Sequence, residues 1–239
     1  RDIDTWANAG YGIVSVLSDR YPTRVREVHE APALLYYQGA LLPDDDGVCV
    51  VGSRQAGPAS LQAASDVARL LVDRGLTVIA GLAAGIDTAA HQGALDAGGR
   101  TVAVMGTGLD HTYPADNTAL RASIAASGGL VLTQFEPGAK TTRASFPMRN
   151  AVMSGYGLTT FVVAAGEHSG TRTQARYAVR HGRGVIVSRA VARSTSWGQE
   201  YAHSGDAAVA DTPDDVLKHV EQIRQQRERA TQWADQLLA

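Results

Sequence analysis

The sequence predicts an α/β fold: a doubly wound, mostly parallel, Rossmann-like sheet with a short N-terminal extension and a C-terminal helix. Three observations carry that expectation. From residue 48 onward, short β-branched runs alternate with stretches of helical apolar spacing. The strand-like runs are apolar almost without interruption, as in a parallel sheet covered by helices on both faces. Most of the 25 glycines punctuate apolar stretches, usually where a strand hands over to a helix, and form no low-complexity run.

The elements follow in order. Residues 48–52 (V-C-V-V-G) read as a buried strand, followed by a helix over 58–74. In that helix Leu61, Ala64, Val67, Leu70 and Leu71 recur at helical spacing, and Gly75 ends it. A second strand spans 77–80, and a helix over 86–97 is closed by Gly98 and Gly99. A third strand covers 101–105, after which Asp116 and Asn117 cap a helix running to 127. Residues 130–133 form a fourth strand and 148–153 a helix. A fifth strand (159–164), a helix (171–181) and a sixth strand (184–188) complete the alternation.

Residues 1–47 break this rhythm with Tyr21-Pro22, Ala31-Pro32 and the acidic turn Pro43-Asp44-Asp45-Asp46-Gly47. They predict an extension with short helical segments, packed on a core domain of 48–212. Residues 213–239 predict a helix, with Thr212 as N-cap, Pro213 at its first position, and Asp214 and Asp215 in its first turn. Val216, Val220, Ile223, Ala230, Trp233 and Leu237 then fall at helical spacing, interrupted by Arg227. Two readings fit: an amphipathic helix folded back on the domain, or a helix that meets a partner or a second copy. Arg224, Arg227, Glu228 and Arg229 are expected on its solvated face.

Composition excludes several classes. Hydrophobic residues make up 44% and charged residues 19%, enough for a sizeable core and too apolar for wholesale disorder. The formal charge of -2, from 22 Lys+Arg against 24 Asp+Glu, removes bulk basicity, so any phosphate-binding function needs a local cluster. Cys49 is the single cysteine, which excludes a disulfide framework and a Cys-rich zinc site, and no metal ligand set is assigned. It sits in an apolar run and reads as a small core hydrophobe. No apolar run approaches the roughly 20 residues of a membrane span. With no signal peptide visible, the expectation is a cytoplasmic protein without a membrane partner.

In an open parallel sheet, ligands bind beyond the carboxyl ends of the strands. The loops there are Gly52-Ser53-Arg54, then 81–87, 106–110 and 166–171, each bearing glycine. Glycine lets a backbone approach a phosphate, and the following helix aims free N–H groups at it. Four such loops on one rim predict a phosphate- or nucleotide-binding edge. No G-x-x-x-x-G-K-[ST] occurs, and the first βα turn lacks G-x-G-x-x-G, which argues against a P-loop NTPase and a nicotinamide-dependent dehydrogenase.

Arg54, Lys140, Arg143, Arg149 and Arg172 fall near this rim. The densest patch, 140–150, places Phe146 among cations, which suits a stacked base with anchored phosphates. A solvated loop anchored by Phe146 fits the same residues. Asp87 and His91 share a helix face, where a capping Asp with a hydrogen-bonded His is favoured over a metal pair. Asp110, His111, Glu136 and the adjacent Glu167-His168-Ser169 show no spacing that demands catalysis. No catalytic residue and no cofactor are assigned.

Six stretches together resemble the DNA-processing protein A (DprA/Smf) family. They are Y-P-T-R-V-R-E-V-H-E-A-P-A-L-L-Y-Y-Q-G at 21–39, V-V-G-S-R at 50–54 and G-L-A-A-G-I-D-T-A-A-H-Q-G-A-L at 81–95. T-V-A-V-M-G-T-G-L-D-H-T-Y-P at 101–114, F-P-M-R-N at 146–150 and S-G-T-R-T-Q-A-R-Y-A at 169–178 complete the set. The resemblance implies a single-stranded DNA-binding protein serving DNA processing, protection or recombination in natural transformation. It implies RecA as a partner and a homodimer. By the same resemblance Ser53 and Arg54 contact phosphates, with the backbone at Gly81 and Gly85 and with Ser169, Gly170 and Thr171 at a helix N-terminus. Arg149 and Asn150 line the pocket, Lys140 extends it, and Phe146 stacks on a base.

Departures at the pocket mark a divergent member. Ala151 stands where the family carries a second arginine, and Ala164 where it carries an acid. These changes keep a second reading open: a nucleotide sensor or N-glycosidic hydrolase related to the lonely-guy phosphoribohydrolases. Gly170, Thr171 and Arg149, with Glu136 or Glu167, would serve it, although Gln174 stands where its acid is expected. A third reading is an adaptor working through the C-terminal helix.

Overall fold

A computed structural model describes residues 2–238 of the chain; Leu237 of the apolar stripe is among the side chains outside the described set. The chain opens with α1 (Asp2–Asn8), β1 (Gly12–Ser15), α2 (Thr23–Arg26) and β2 (Leu34–Gly39). The alternating body follows: β3 (Gly47–Gly52), α3 (Pro58–Asp73), β4 (Thr77–Ala80), α4 (Ile86–Asp96) and β5 (Thr101–Val104). A 3-10 turn over Ala115–Asn117 leads into α5 (Thr118–Ala126), β6 (Leu130–Thr133), α6 (Ser145–Tyr156), β7 (Thr159–Ala164), α7 (Gly170–Arg180) and β8 (Gly184–Ser188). Then come α8 (Arg189–Ser194), α9 (Ser196–Ser204), β9 (Ala208–Ala210) and α10 (Pro213–Leu238).

The strands form one sheet in the order β1-β2-β6-β5-β4-β3-β7-β8-β9. From β6 through to β9 every neighbouring pair is parallel. The two strands before residue 40 extend it antiparallel, β2 on β6 and β1 on β2. The segment expected to hold short helical pieces thus contributes a sheet edge. Its alternation is real but short: Val14 and Leu35 enter one core, while Ile13 and Tyr36 meet the other.

Side chains leave each strand alternately to two layers. Cys49 and Val51 of β3 face the layer of α2, α6, α7 and α9, with Val25, Val152, Ala175 and Trp197. Val48 and Val50 face α3, α4 and α10, with Val67, Leu71, Ala90 and Val220. This double coverage is why those strands read as unbroken apolar runs. Helix α6 starts earlier than expected, because Pro147 sits in its first turn, where no intrahelical N–H is needed, and it runs on to Tyr156. Helices α8 and α9 were not expected, although Ser188 and Thr195 cap them, accepting from the Val191 and Gly198 N–H groups.

Helix α10 folds back on the domain through Val216, Leu217 and Val220, all buried. Beyond Ile223 it is pinned by charge: Arg224 lies 3.4 Å from Asp46, and Arg227 lies 2.8 Å from Glu27. These two arginines stay about one-third exposed, at 36% and 35%, so the expected solvated face is also ion-paired, a detail the sequence could not supply because both acids come from the other end of the chain. Trp233 stands 66% exposed. No described helix is long and apolar enough to cross a membrane.

Candidate functional site

The strand order reverses at β3, which has β4 on one side and β7 on the other. That switch point leaves a crevice beyond the carboxyl ends of the strands. A cleft of about 600 Å³ occupies it, lined by Ser53, Arg54, Asp87, Phe146, Arg149 and Asn150, and closed by the first turn of α7. A smaller cleft of about 100 Å³ lies beside it, reaching Gly81, Thr107 and Tyr113. Arg54 and Phe146 belong to both walls. The Arg54 guanidinium sits 5.1 Å from the Phe146 ring centre and 6.0 Å from that of Tyr113, and the two rings are 5.8 Å apart. A cation held over two aromatic faces thus forms the ridge between the clefts.

The floor is built from backbone outward. The Ser53 N–H donates to the Ala164 carbonyl (2.8 Å), and the Ser53 hydroxyl accepts from the Gln55 N–H (3.1 Å). The Ile86 N–H donates to the Ser53 carbonyl, laying the loop before α4 on the loop after β3. Gly85 makes this possible: its φ is +78°, and a Cβ there would lie 2.4 Å from the Ser53 oxygen. One carboxylate oxygen of Asp87 accepts from the N–H groups of Gly81 (2.9 Å) and Ala83 (3.4 Å).

Arg149 is buried at the base of the cleft and donates to the Val104 carbonyl at 2.9 Å. Its Nε has no partner among the described residues. Burial, helped by the Arg54 charge, lowers its pKa while Asp87 opposes the shift, yet a guanidinium stays protonated. Burial raises Asp87, and Arg149 and the two amides pull it back. His91 is fully buried, with Nδ1 2.7 Å from the Thr101 hydroxyl, which itself donates to the Val78 carbonyl. Nδ1 therefore carries the proton, and burial with the Arg149 charge drives the ring to about 3. His91 is the hydrogen-bonded core histidine expected, whereas Asp87 is not the expected helix cap: the N-cap of α4 is Gly85 with no side-chain bond, and Asp87 holds the loop before the helix.

Ser169 caps α7, its hydroxyl accepting from the Thr171 N–H at 3.1 Å. Asn150 reaches the Gly170 carbonyl at 3.4 Å. The structure thus gathers Ser53, Arg54, Phe146, Arg149, Asn150, Ser169, Gly170 and Thr171 around one cleft, with Gly81 at its smaller neighbour. Gly85 supports the loops from behind, and exposed Lys140 lines neither cleft. Sequence reasoning missed Tyr113 and Gln174 as lining residues. An aromatic residue just before Pro114, closing a glycine loop on the same rim, was the available signal for Tyr113.

Of the other titratable candidates, exposed His168 lines the larger cleft, and Asp110, His111, Glu136 and Glu167 line neither cleft. Asp110 accepts from the Tyr11 hydroxyl at 3.1 Å, and His111 Nε2 meets the Gly138 carbonyl at 3.2 Å. Glu167 holds the N-terminus of α9, accepting from the Ser196 N–H and hydroxyl, which lower its pKa. A hydrogen-bond chain from Ser154 through His181 to Glu30 (3.0 and 2.9 Å) has the order of a nucleophile relay. Ser154 is only 1% exposed and lines neither cleft, so this chain joins elements and does not meet substrate.

Comparison with known proteins gives a consistent picture. The profile of a family described as DNA recombination-mediator protein A matches residues 12–221. The chain is 36% identical over 211 residues to the DNA processing protein DprA of Streptococcus pneumoniae, covering 87% of this chain and 73% of that protein. It is similar to Smf of Synechocystis, 38% identical over 171 residues, 70% of this chain but only 43% of that longer protein. The X-ray structure of DprA from Streptococcus pneumoniae superimposes with a TM-score of 0.77 at 33% identity, covering 90% of this chain and 77% of that one. DprA from Helicobacter pylori, whose structure was described for its single-stranded DNA binding mode, shares the fold: TM-score 0.78, 24% identity, 89% and 96% coverage. The chain belongs to the DNA recombination-mediator protein A family.

Proposed function

We propose that this protein binds single-stranded DNA along the ridge between the two clefts and serves DNA processing, protection or recombination mediation. The observation that carries the reading is Arg54 held over Phe146 and Tyr113. Aromatic faces take bases, cations and the α7 N-terminus take phosphates, and none of this needs a basic protein overall. Ser53, Arg149, Asn150 and the 169–171 turn supply the surrounding donors. The DprA of Helicobacter pylori binds single-stranded DNA, which supports the same role for this relative. RecA, a second copy of this chain and a cytoplasmic setting belong to the proposal.

The hydrolase reading lacks its carboxylate. Asp87 is the only carboxylate among the described residues lining either cleft, and it is buried against two amides. Glu136 and Glu167 line neither. Fluorescence anisotropy with a labelled oligothymidylate tests the main proposal: affinity is expected to fall steeply with added salt. A protein that binds no oligonucleotide at low salt would falsify it.

A further inference from the structure

One stretch departs from the charge balance of the whole. Residues 168–199 hold six arginines and no Asp or Glu, in a chain whose formal net charge is -2. Three of the six have carboxylates: Arg180 meets Glu30 (2.9 Å), Arg183 meets Glu27 (2.9 Å) and Arg189 meets Asp211 (2.6 Å). Arg172 and Arg176 have no carboxylate within ion-pair distance among the described residues, and both are exposed on α7.

Helix chemistry disfavours both where they stand. They are four residues apart, so like charges share one face about 6 Å apart along the axis. Arg172 lies in the first turn, where a cation opposes the helix dipole. Neither side chain makes a hydrogen bond or ion pair among the described residues, although the Arg172 charge helps lower the pKa of Glu167, so the placement suits a ligand. Arg172 directly follows Thr171, which lines the cleft, so the pair continues the cleft rim down the outer face of α7. Tyr201 of α9 is within electrostatic reach of both: burial raises its phenol, the Arg172 and Arg176 charges pull it back, and Asp206 and Glu200 add to the rise.

We propose that Arg172 and Arg176 form a track that carries single-stranded DNA away from the cleft, holding phosphates beyond the nucleotides at Arg54 and Phe146. This rests on the cleft being a single-stranded DNA site. Charge complementarity alone would also admit an acidic peptide; continuity with the cleft favours the strand.

The test is a double variant, Arg172→Gln with Arg176→Gln, checked by circular dichroism for an unchanged fold. Anisotropy is measured with oligothymidylates from about 6 to about 30 nucleotides at several salt concentrations. Wild type is expected to gain affinity with length, and the variant to match it on the shortest oligonucleotide while losing that gain. On the long oligonucleotides affinity should drop about tenfold, and the slope of log affinity against log salt should shrink by about 1.4, at roughly 0.7 per phosphate contact. A variant indistinguishable from wild type at every length overturns the track, as does equal loss at every length, which would put both arginines inside the cleft's own contacts. Loss of binding to a polyglutamate peptide, with oligonucleotide binding intact, overturns it in favour of an acidic partner. If wild type itself binds no oligonucleotide, the reading of the cleft falls and the track with it, a result visible before any substitution is made.

Discussion

The guanidinium of Arg149 fills the space that a side chain at Gly81 would take: a Cβ there would lie 1.5 Å from a terminal Arg149 nitrogen. Gly81 also gives its N–H to Asp87, so one glycine positions both charges at the base of the cleft. Gly81→Ala is expected to drive the guanidinium from its slot and break its bond to the Val104 carbonyl. Losing charge-assisted contacts of about 1.5–3 kcal/mol corresponds to oligonucleotide affinity weakened roughly 10- to 100-fold. A Gly81→Ala protein that binds like wild type would show that Arg149 plays no part in binding.

Arg54 and Phe146 share the ridge but should fail differently. Arg54→Ala removes a phosphate-directed cation, so affinity falls and the salt slope shrinks by about 0.7. Phe146→Leu keeps the bulk of the wall and every charge. Affinity should fall by about 1–3 kcal/mol from lost stacking, with the salt slope unchanged. Arg54→Lys should recover the slope but not the full affinity, because an ammonium lacks the flat face that lies over the rings. Identical salt slopes for Arg54→Ala and wild type would remove Arg54 from the phosphate contacts.

Much of this architecture is legible because parallel strands are buried on both faces. Val48–Val51, Val78–Ala80 and Val102–Val104 are apolar at every position, and Ser169 announces α7 as a capping serine does. The edge strands were hidden for the converse reason. In β2, Leu35 and Tyr36 serve opposite cores within a few residues, next to Pro32, and β9 is only Ala-Val-Ala. At the site, the glycine loops and the cations could be named from the chain. Their arrangement could not, since Arg149 under Gly81 and Tyr113 beside Arg54 depend on which loops the sheet brings together. The same holds for Arg224 and Arg227, whose acids lie far back in the sequence.

His91 makes the fold sensitive to acid. Its ordinary value of 6.5 applies to the unfolded chain, while burial and the Arg149 charge hold it near 3 in the folded one. Folding therefore favours the neutral ring. That contribution is complete above pH 6.5 and is lost as pH falls from there toward 3, at about 1.4 kcal/mol per pH unit. Urea unfolding compared at pH 7.5 and pH 5 should show His91→Gln losing about 2 kcal/mol less than wild type. A variant that keeps the whole acid-side loss would mean the ring is already protonated in the folded protein.

Asp87 should restrain the cleft's grip on DNA even as it holds the cleft's loop. Its carboxylate lines the larger cleft with Arg149 and lowers the positive potential a phosphate meets. Asp87→Asn keeps an acceptor oxygen for the Gly81 and Ala83 N–H groups and removes the charge. Oligonucleotide affinity should then rise roughly 3- to 10-fold, the effect of about 0.7–1.4 kcal/mol of relieved repulsion. Stability should not fall. Burial raises the Asp87 pKa, so the folded state already disfavours the ionised carboxyl at neutral pH, and its cost is relieved as pH drops through the raised value. Wild-type affinity should climb over that same acidic interval, whereas Asp87→Asn should lack this component of the rise. If Asp87→Asn instead weakens binding while unfolding at the same urea concentration, the carboxylate contacts the ligand side of the cleft and is not a brake on it.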